Sequence, residues 1–207
     1  PNYGVFDEKR YFAPGNESFV FECQQTKVGV LICEDQWIDG PIDRLCQSSV
    51  DVVVSLNASP FQLNKQNERI DICKHYALKF DLSFIYVNMV GGQDEVVFDG
   101  NSFVISSLGE LTLQLPAFKE MSLLHNSANY LPSVLSEEES IYSALVLATR
   151  DYIQKNSFEG ALIGLSGGID SALVAAIAID ALGEKRVNGV AMPSKYSSNH
   201  SVEDAQA

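Results

Sequence analysis

Residues 160–192, GALIGLSGGIDSALVAAIAIDALGEKRVNGVAM, decide the fold of the second half of this chain. Residues 160–165 form a short apolar run that predicts a buried strand. Residues 172–182 form a longer apolar run that ends at Gly183 and predicts a helix, and residues 187–192 predict another strand. A strand, a glycine loop, a helix and a second strand make one right-handed βαβ unit with a parallel sheet.

The first half alternates short β-rich runs with turns and helical stretches, which predicts an α/β fold. The predicted strands, buried on both faces of a sheet, are 19–23, 28–32, 52–56 and 84–90, and the predicted helices are 41–48 and 62–80. The runs 96–98, 102–106 and 110–115 are separated by turn signals and predict a closing antiparallel meander. Mixed strand directions favour a layered sandwich over a TIM barrel.

A domain boundary is predicted where periodicity is lost. Residues 118–135 contain Asn, Ser and Pro without a sustained pattern, so we predict a linker there between domains at 1–117 and 136–207. The second domain begins with a capping box, because Ser136 and Glu139 can each satisfy a backbone donor at a helix start. The predicted apolar face of this helix consists of Ile141, Leu145, Ala148 and Tyr152.

Composition excludes several classes of protein. The 207 residues carry a formal net charge of −13, which argues against nucleic-acid binding through bulk charge. No apolar run approaches the roughly 20 residues of a membrane span, so we expect a soluble protein without a membrane partner. Four cysteines without C-x-x-C spacing and with one nearby His favour neither a zinc site nor a disulfide framework, so we expect a cytoplasmic protein.

The loop at residues 165–171, LSGGIDS, has the chemistry of a phosphate site. Its glycines let the backbone approach an anion closely, its serines add donors, and the helix start supplies free N–H groups. It lacks the Lys of a Walker loop and the third glycine of a dinucleotide-binding loop. Asp170 would repel phosphate unless Mg²⁺ lay between them, so Asp170 is the predicted metal ligand. An ordinary tight turn is the alternative.

This loop resembles the pyrophosphatase loop of ATP-dependent amidating and adenylating enzymes. Residues 192–198, MPSKYSS, followed by 201–205, SVEDA, are similar to a signature of NAD synthetases. By this resemblance Met192 would lie at the adenine of ATP and the serine-rich loop near its phosphates. The ATP-binding residues that the resemblance implies are Gly164, Leu165, Ser166, Gly167, Gly168, Ile169, Asp170, Ser171, Met192, Ser197 and Ser198.

Cys33 is the candidate nucleophile of the first half. Residues 28–37, VGVLICEDQW, place it at the abrupt end of a buried strand, where a side chain is exposed and backbone N–H groups follow. A thiol attacks only after deprotonation, so a base or cation must lie near it. Sequence proximity offers only the acids Glu34 and Asp35. A buried small apolar residue is the alternative interpretation of this cysteine.

The first half resembles the nitrilase-type glutaminase domain that precedes NAD synthetases, a fold of an α-β-β-α sandwich. The resemblance rests on residues 31–37 (LICEDQW), 57–61 (NASPF), 88–95 (NMVGGQDE) and 98–100 (FDG). It implies Cys33 as the nucleophile of a Glu-Lys-Cys triad and Glu8 as an auxiliary acid. Tyr3, Ser59 and Lys65 match the glutamine pocket, although a lysine at a helix start is usually only solvated. The triad Glu and Lys of the family would precede Pro1.

Together the two resemblances imply a glutamine-dependent NAD synthetase family member, with an adenine-nucleotide α-hydrolase fold in its second domain. Such an enzyme is a ligase that hydrolyses glutamine and uses the ammonia, with ATP and Mg²⁺, to amidate deamido-NAD to NAD. We expect a homo-oligomer with small-molecule partners, and an interior segment of a longer protein that lacks both ends. Another pyrophosphatase-loop enzyme, GMP-forming or tRNA-modifying, and a catalytically incomplete assembly module are the alternatives.

Overall fold

The computed structural model describes Gly4, residues 6–124 and residues 130–192. These residues form two compact units. The first unit comprises the described residues up to Met89 and those of Gly100–Ser133, and the second comprises Val90–Asp99 and the described residues from Val134 onward. The predicted linker at 118–135 includes residues outside the described part of the chain, and it stays a proposal.

The elements of the first unit are six strands and two α-helices. The strands are β1 (Phe19–Cys23), β2 (Thr26–Ile32), β3 (Val52–Asn57), β4 (Ser83–Asn88), β7 (Phe103–Ile105) and β8 (Leu111–Gln114). The helices are α1 (Pro41–Cys46) and α2 (Lys65–Phe80), and short 3-10 turns lie at Glu8–Arg10 and Cys33–Gln36. The elements of the second unit are β5 (Val90–Gln93), β6 (Val96–Asp99), α3 (Glu137–Lys155), β9 (Ala161–Leu165), α4 (Ile169–Leu182) and β10 (Val187–Ala191).

The six strands of the first unit form one mixed sheet in the order β1-β2-β3-β4-β7-β8. Its centre is parallel, because β2 pairs with β3 and β3 with β4 in parallel register. Both outer parts are antiparallel. The core on one face joins Leu31, Val53 and Phe84 of the sheet to Leu45 of α1 and Cys73 of α2. The predicted α/β fold with mixed strands is therefore confirmed.

The opposite face of this sheet differs from the prediction of strands buried on both faces. Ile32, Leu56 and Val87 alternate with buried neighbours and are 65%, 48% and 42% exposed. The sequence also predicts that β1 is buried, but among the described residues it pairs with β2 alone as an edge strand, and Phe19 on it is exposed. An apolar, β-branched run predicts a strand well, but it does not say how many of its faces are covered.

The predicted strand at 84–90 and the predicted meander are both wrong in detail. β4 ends at Asn88, and the N–H of Met89 leaves the sheet to donate to the carbonyl of Asn57 at 3.0 Å. The chain then forms the antiparallel hairpin β5–β6, which is a separate sheet in the second unit. Only β7 and β8 complete the large sheet, so residues 96–98 are not part of the meander.

The hairpin β5–β6 packs against α3, because the N–H and the carbonyl of Gly92 both form hydrogen bonds with side chains of that helix. The N–H of Gly92 donates to Asp151 Oδ2 at 2.8 Å, and Lys155 Nζ donates to the carbonyl of Gly92 at 2.5 Å. A Cβ on Gly92 would lie 3.1 Å from the Cα of Ala148. The backbone of Gly92 and that of α3 therefore pack more closely than a larger residue would allow.

The start of α3 matches the prediction, but its buried face does not. Ser136 Oγ accepts from the N–H of Glu139 at 3.1 Å, and Glu139 Oε2 accepts from the N–H of Ser136 at 2.8 Å, which makes the capping box. The buried residues of the helix are Ala144 and Leu147. The predicted face containing Ile141, Leu145 and Tyr152 is largely exposed. The apolar residues of this helix can form more than one buried face. In the structure the buried face is the one with Ala144 and Leu147.

The predicted βαβ unit is present in the second unit. β9 and β10 pair in parallel from Val187 with Ala161 to Ala191 with Leu165, and α4 lies between them in the chain. The helix starts at Ile169, three residues before the predicted start, so its first turn contains Asp170 and Ser171. Among the described residues, no helix is both long and apolar enough to cross a bilayer.

Candidate functional site

Cys33 lies at a sharp bend at the end of β2. It is the first residue of the 3-10 turn Cys33–Gln36, and its φ of +44° is in the left-handed region that a non-glycine residue rarely adopts. The turn is closed by Asp35, whose carboxylate accepts from the N–H of Ile32 at 2.9 Å. Such strained positions are concentrated at functional sites, which supports the prediction that this cysteine is the nucleophile.

The surroundings of Cys33 act on its thiol in opposite directions. Burial raises the pKa of the Cys33 thiol, and the neighbouring carboxylate of Glu34 raises it further. A hydrogen bond from the backbone of Ala58 and the charge of Arg69 lower the pKa. The balance raises the pKa above its ordinary value of 9.0, so these residues alone favour the thiol over the reactive thiolate.

Polar residues lie at the carboxyl ends of β3 and β4, the two strands that run parallel to β2. β3 ends at Asn57 and β4 ends at Asn88, and both side chains are buried. Asn57 Nδ2 donates to the carbonyls of Ser55 and Val87 at 2.9 and 3.1 Å, which joins the two strand ends. Asn88 Oδ1 accepts from the N–H of Ser59 at 2.9 Å. Ser59, predicted for the glutamine pocket, is therefore fixed by its backbone.

Arg69 lies on the buried face of α2 and is 0% exposed. Its Nη2 donates to the carbonyls of Ser59 and Pro60 at 2.9 and 3.0 Å. Its Nε and Nη2 also approach Ser59 Oγ at 3.3 and 3.1 Å, and Nη1 donates to Gln66 at 3.3 Å. A buried guanidinium thus organises the loop that contains Ser59.

The other predicted residues of this site are distributed around it. Lys65 is the first residue of α2; its Nζ lies 4.2 Å from the centre of the Trp37 ring and 2.7 Å from Glu68 Oε2. Lys65 is thus held near the cysteine turn and is not merely solvated. Glu8 lies in the first 3-10 turn and lines an open groove of about 1060 Å³ together with Glu34. Tyr3 lies outside the described residues.

The phosphate loop connects β9 to α4 and is tied together by its own serines. Ser171 Oγ donates to the carbonyl of Gly168 at 2.9 Å and accepts from the N–H of Ser166 at 3.2 Å. Ser166 Oγ accepts from the N–H of Gly168 at 3.3 Å and lies 3.1 Å from Ser171 Oγ. Gly167 has a φ of +79°, which explains glycine at that position.

The N-terminus of α4 is open to a ligand. Gly168 occupies the cap position and no side chain caps the helix, so the first backbone N–H groups of a 14-residue helix carry the positive end of its dipole. Gly168, Ile169 and Asp170 are exposed. Free N–H donors beside two serine hydroxyls are suited to bind an anion, and phosphate binding at this loop stays a prediction.

The remaining predicted residues border this loop. Gly164 and Leu165 end β9, and Met192 follows β10 directly. The Met192 Cε lies 3.0 Å from where a Cβ on Gly164 would be, so these two residues are adjacent. Ser197 and Ser198 lie outside the described residues.

Asp170 is an exposed acid in the first turn of α4, next to the free N–H groups. The described part of the chain contains no group of three or more His, Cys, Asp or Glu side chains that could hold a metal ion by themselves. Mg²⁺ commonly binds through one or two carboxylates together with substrate phosphates and water. A single carboxylate beside a phosphate loop therefore fits a Mg²⁺ ion that is bound together with a nucleotide.

Sequence reasoning missed Arg69, Asn57 and Asn88. A signal for Arg69 was present, because it occurs at helical spacing with the buried residues Cys73 and Tyr76 of α2. A charged residue in an apolar face is rarely buried without bonded partners. The two asparagines are the first residues of the stretches 57–61 and 88–95 that carry the resemblance, but no role was assigned to either of them.

Comparisons with known proteins agree with this geometry. Residues 1–126 match the carbon-nitrogen hydrolase family, and residues 141–207 match the NAD synthase family. Over 99% of its length the chain is 45% identical to the glutamine-dependent NAD(+) synthetase of Acinetobacter baylyi, and over 100% it is 43% identical to that of Synechocystis. The chain spans 39% and 41% of these relatives.

Solved structures extend the comparison. The glutamine-dependent NAD+ synthetase of Acinetobacter baumannii, determined with ADP, superposes on 100% of this chain and 41% of its own with a TM-score of 0.93 and 47% identity. The carbon-nitrogen hydrolase of Helicobacter pylori covers 58% of this chain and 47% of its own, with a TM-score of 0.53 and 26% identity. The predicted nitrilase-like fold, joined to an NAD synthase region, is thereby confirmed. The carbon-nitrogen hydrolase match spans more than half of the sequence, and the chain belongs to the carbon-nitrogen hydrolase family.

Proposed function

We propose that this chain is part of a glutamine-dependent NAD synthetase, an enzyme that hydrolyses glutamine and uses the ammonia to amidate deamido-NAD at the expense of ATP. The observation that carries the proposal is the occurrence, in one chain, of a strained cysteine at a strand end and an open serine-glycine loop at a helix start. The similarity to curated glutamine-dependent NAD(+) synthetases over the whole chain supports the same pairing of activities.

In the first step Cys33 attacks the side-chain amide of glutamine. The Sγ–C bond forms, the C–N bond breaks, and ammonia leaves once the nitrogen has received a proton. Water then hydrolyses the thioester to glutamate and regenerates the thiol. Dividing one amide cleavage into two steps lowers the barrier of each. Because burial raises the pKa of the Cys33 thiol, the reaction needs a base, and we assign this role to the triad glutamate of the family.

The other residues of the first site would bind and orient the amino acid. We propose that Ser59, Lys65 and Tyr3 bind its amino-acid group and that Glu8 is an auxiliary acid. The contacts of Lys65 support this role, since its ammonium is 4.2 Å from the Trp37 ring centre and its side chain is only 25% exposed. A partly desolvated cation attracts a carboxylate more strongly than a fully hydrated one.

In the second step the carboxylate of deamido-NAD attacks the α-phosphorus of ATP. Pyrophosphate leaves, and ammonia then displaces AMP from the acyl-adenylate to give the amide of NAD. We propose that the loop residues Ser166, Gly167, Gly168 and Ser171 bind the pyrophosphate through N–H and hydroxyl donors. Gly164, Leu165 and Met192 would border the adenine, with Ile169, Ser197 and Ser198 completing the nucleotide site.

Asp170 would hold a Mg²⁺ ion, which neutralises phosphate charge and thereby favours departure of pyrophosphate. Without a cation, a carboxylate in the first turn of α4 would repel the nucleotide that the helix dipole attracts. The position of Asp170 beside an anion site is the reason for assigning it to the metal.

The test follows NAD formation by the full-length enzyme that contains this sequence, with ATP, Mg²⁺ and deamido-NAD. Both glutamine and free ammonia are expected to support the reaction. NAD formation from ammonia but not from glutamine would contradict the glutaminase assignment. Failure with both nitrogen donors would contradict the synthetase assignment.

We also propose a cytoplasmic homo-oligomer whose partners are small molecules and not nucleic acid. The net charge of −13 supports the last point, because a polyanion would be repelled by most of the surface. Light scattering of the full-length enzyme measures its mass, and a monomeric mass would contradict the homo-oligomer.

A further inference from the structure

The guanidinium of Arg69 uses its rigid fork to contact one residue at several points. Its Nε and Nη2 lie 3.3 and 3.1 Å from Ser59 Oγ, and Nη2 also donates to the carbonyl of Ser59 at 2.9 Å. The residue is 0% exposed, so no water competes for these donors. The guanidinium stays protonated at every pH at which the protein is folded, so Arg69 can only donate hydrogen bonds to Ser59 and cannot accept one from it.

This arrangement determines the direction of the Ser59 hydroxyl. A serine oxygen has two acceptor lone pairs and one proton to donate. Two N–H groups of Arg69 face Ser59 Oγ at 3.3 and 3.1 Å, so the oxygen accepts on that side and the O–H is directed away from the guanidinium, where it can donate. The backbone of Ser59 is also fixed, since Asn88 accepts from its N–H at 2.9 Å and donates to its carbonyl at 3.2 Å.

We infer that Arg69 is a positioning residue for glutamine binding: it makes the Ser59 hydroxyl an obligate donor, so the pocket selects a ligand that presents a carboxylate acceptor at Ser59. The inference rests on the proposed glutaminase function and deepens it. It assigns to Arg69 no contact with the substrate, because every contact of the guanidinium described above is with the protein. The selectivity for an α-carboxylate thus comes from Arg69, which contacts Ser59 and not the ligand.

The phenol of Tyr86 interacts with Ser59, and this interaction lowers the pKa of Tyr86. Burial is the largest effect and raises that pKa to about 12, so the phenol stays neutral. Its oxygen is buried and lacks a hydrogen bond of acceptable geometry in the described part of the chain. A ligand carboxylate is a stronger acceptor than a neutral phenol, so the ligand should take the proton.

The experiment compares two substrates in the full-length enzyme: L-glutamine and 4-aminobutanamide, which is glutamine without its α-carboxylate. Arg69→Lys keeps the charge but loses the fork. It is expected to raise KM for glutamine roughly 10- to 100-fold, with a smaller change in kcat. The kcat/KM for 4-aminobutanamide should change by less than about threefold, because that substrate offers no carboxylate to Ser59. Tyr86→Phe should leave KM for glutamine unchanged.

Two further variants separate positioning from general damage. Ser59→Ala should also raise KM for glutamine. The double variant that combines Arg69→Lys with Ser59→Ala should have a KM no higher than that of the worse single variant, because Arg69 acts through Ser59. Lys79→Met, which removes an exposed lysine from the same helix, is the matched control and should behave like the parent. Thermal melting checks that each variant is folded.

Several results would overturn the inference. These are an unchanged KM for glutamine in Arg69→Lys, equal losses for both substrates, or losses that multiply in the double variant. If Arg69→Lys does not fold, Ser59→Ala decides alone, since an equal loss for both substrates contradicts a carboxylate-directed donor. A parent enzyme that hydrolyses no glutamine would instead overturn the proposed function.

Discussion

The two candidate sites differ in how their polar groups are satisfied. Around Cys33 the polar side chains are buried and bonded to one another, as in the contacts of Ser59 with Arg69 and Asn88. Around Ser166 they are exposed and bonded only within one loop, and the first N–H groups of α4 have no side-chain cap. A pocket for a small amino acid gains from donors fixed before binding, whereas a triphosphate needs an accessible cluster of free donors.

This contrast predicts that damage to the two sites affects different reactions. In the proposed function the cysteine site supplies only ammonia, so its loss should be rescued by added ammonia. The phosphate loop would activate the substrate, so its loss should not be rescued by either nitrogen donor. The following variants, in order of expected effect, test that distinction in the full-length enzyme.

The largest effect is expected for Cys33→Ala. Without the thiol no thioester forms, and glutamine-dependent NAD formation should fall by about three orders of magnitude or more. Ammonia-dependent formation should stay within about twofold of the parent. The measurement is NAD formation with each donor, and Cys23→Ala, at an exposed cysteine, is the control. Equal loss with both donors would show that the two sites are not separable in this way.

Asp170→Asn should lower both activities. Removing the carboxylate weakens the binding of Mg²⁺ beside the phosphates, and we expect a loss of roughly 100-fold with either donor. Raising the Mg²⁺ concentration should recover part of the rate. Glu184→Gln, at another exposed acid of the second unit, is the control. A loss confined to glutamine would contradict the assignment of Asp170 to the ATP reaction.

Ser171→Ala should have a smaller effect on the same reaction. Its hydroxyl donates to Gly168 and accepts from Ser166, so its removal frees the loop without exposing a core. KM for ATP should rise about three- to tenfold, while the melting temperature should change little. Ser143→Ala, a helical serine on α3, is the matched control. A large fall in melting temperature with an unchanged KM would mean that the loop is structural.

The smallest effect concerns the first unit, which contains all four cysteines of the chain. Burial, assisted by the charge of Asp43, raises the pKa of Cys46 from 9.0 to about 11. Since the unfolded thiol ionises first, the contribution of Cys46 to stability is complete below pH 9 and is lost as the pH rises towards 11.

Cys46→Ser should therefore reduce the fall in melting temperature between pH 9 and pH 11. The difference should be modest, because the thiol is only partly buried. Thermal melting at half-unit pH steps measures it, and Cys23→Ser is the control. An identical pH dependence of the parent and Cys46→Ser would contradict the assignment.

The sequence predicted where each candidate site lies in the chain better than it predicted the packing around that site. Cys33 and the serine-glycine loop were found because strand ends and helix starts follow from local patterns. Arg69 was missed because its role depends on which face of α2 is buried. The hairpin of Val90–Asp99 was assigned to the first half because it lies there in the chain, although Gly92 is bound to α3 in the second unit.

What the sequence determined by itself is local. Three features follow from hydrogen-bonding capacity and hydrophobic periodicity within a few residues: the capping box at Ser136, the βαβ unit around residues 165–171 and the strand that ends just before Cys33. Only the tertiary structure decided that Ser59 contacts Arg69 and Asn88, and which faces of β2 and α3 are buried. The physical reason is that burial and buried hydrogen bonds depend on partners distant in the chain, and a local pattern permits several sets of partners.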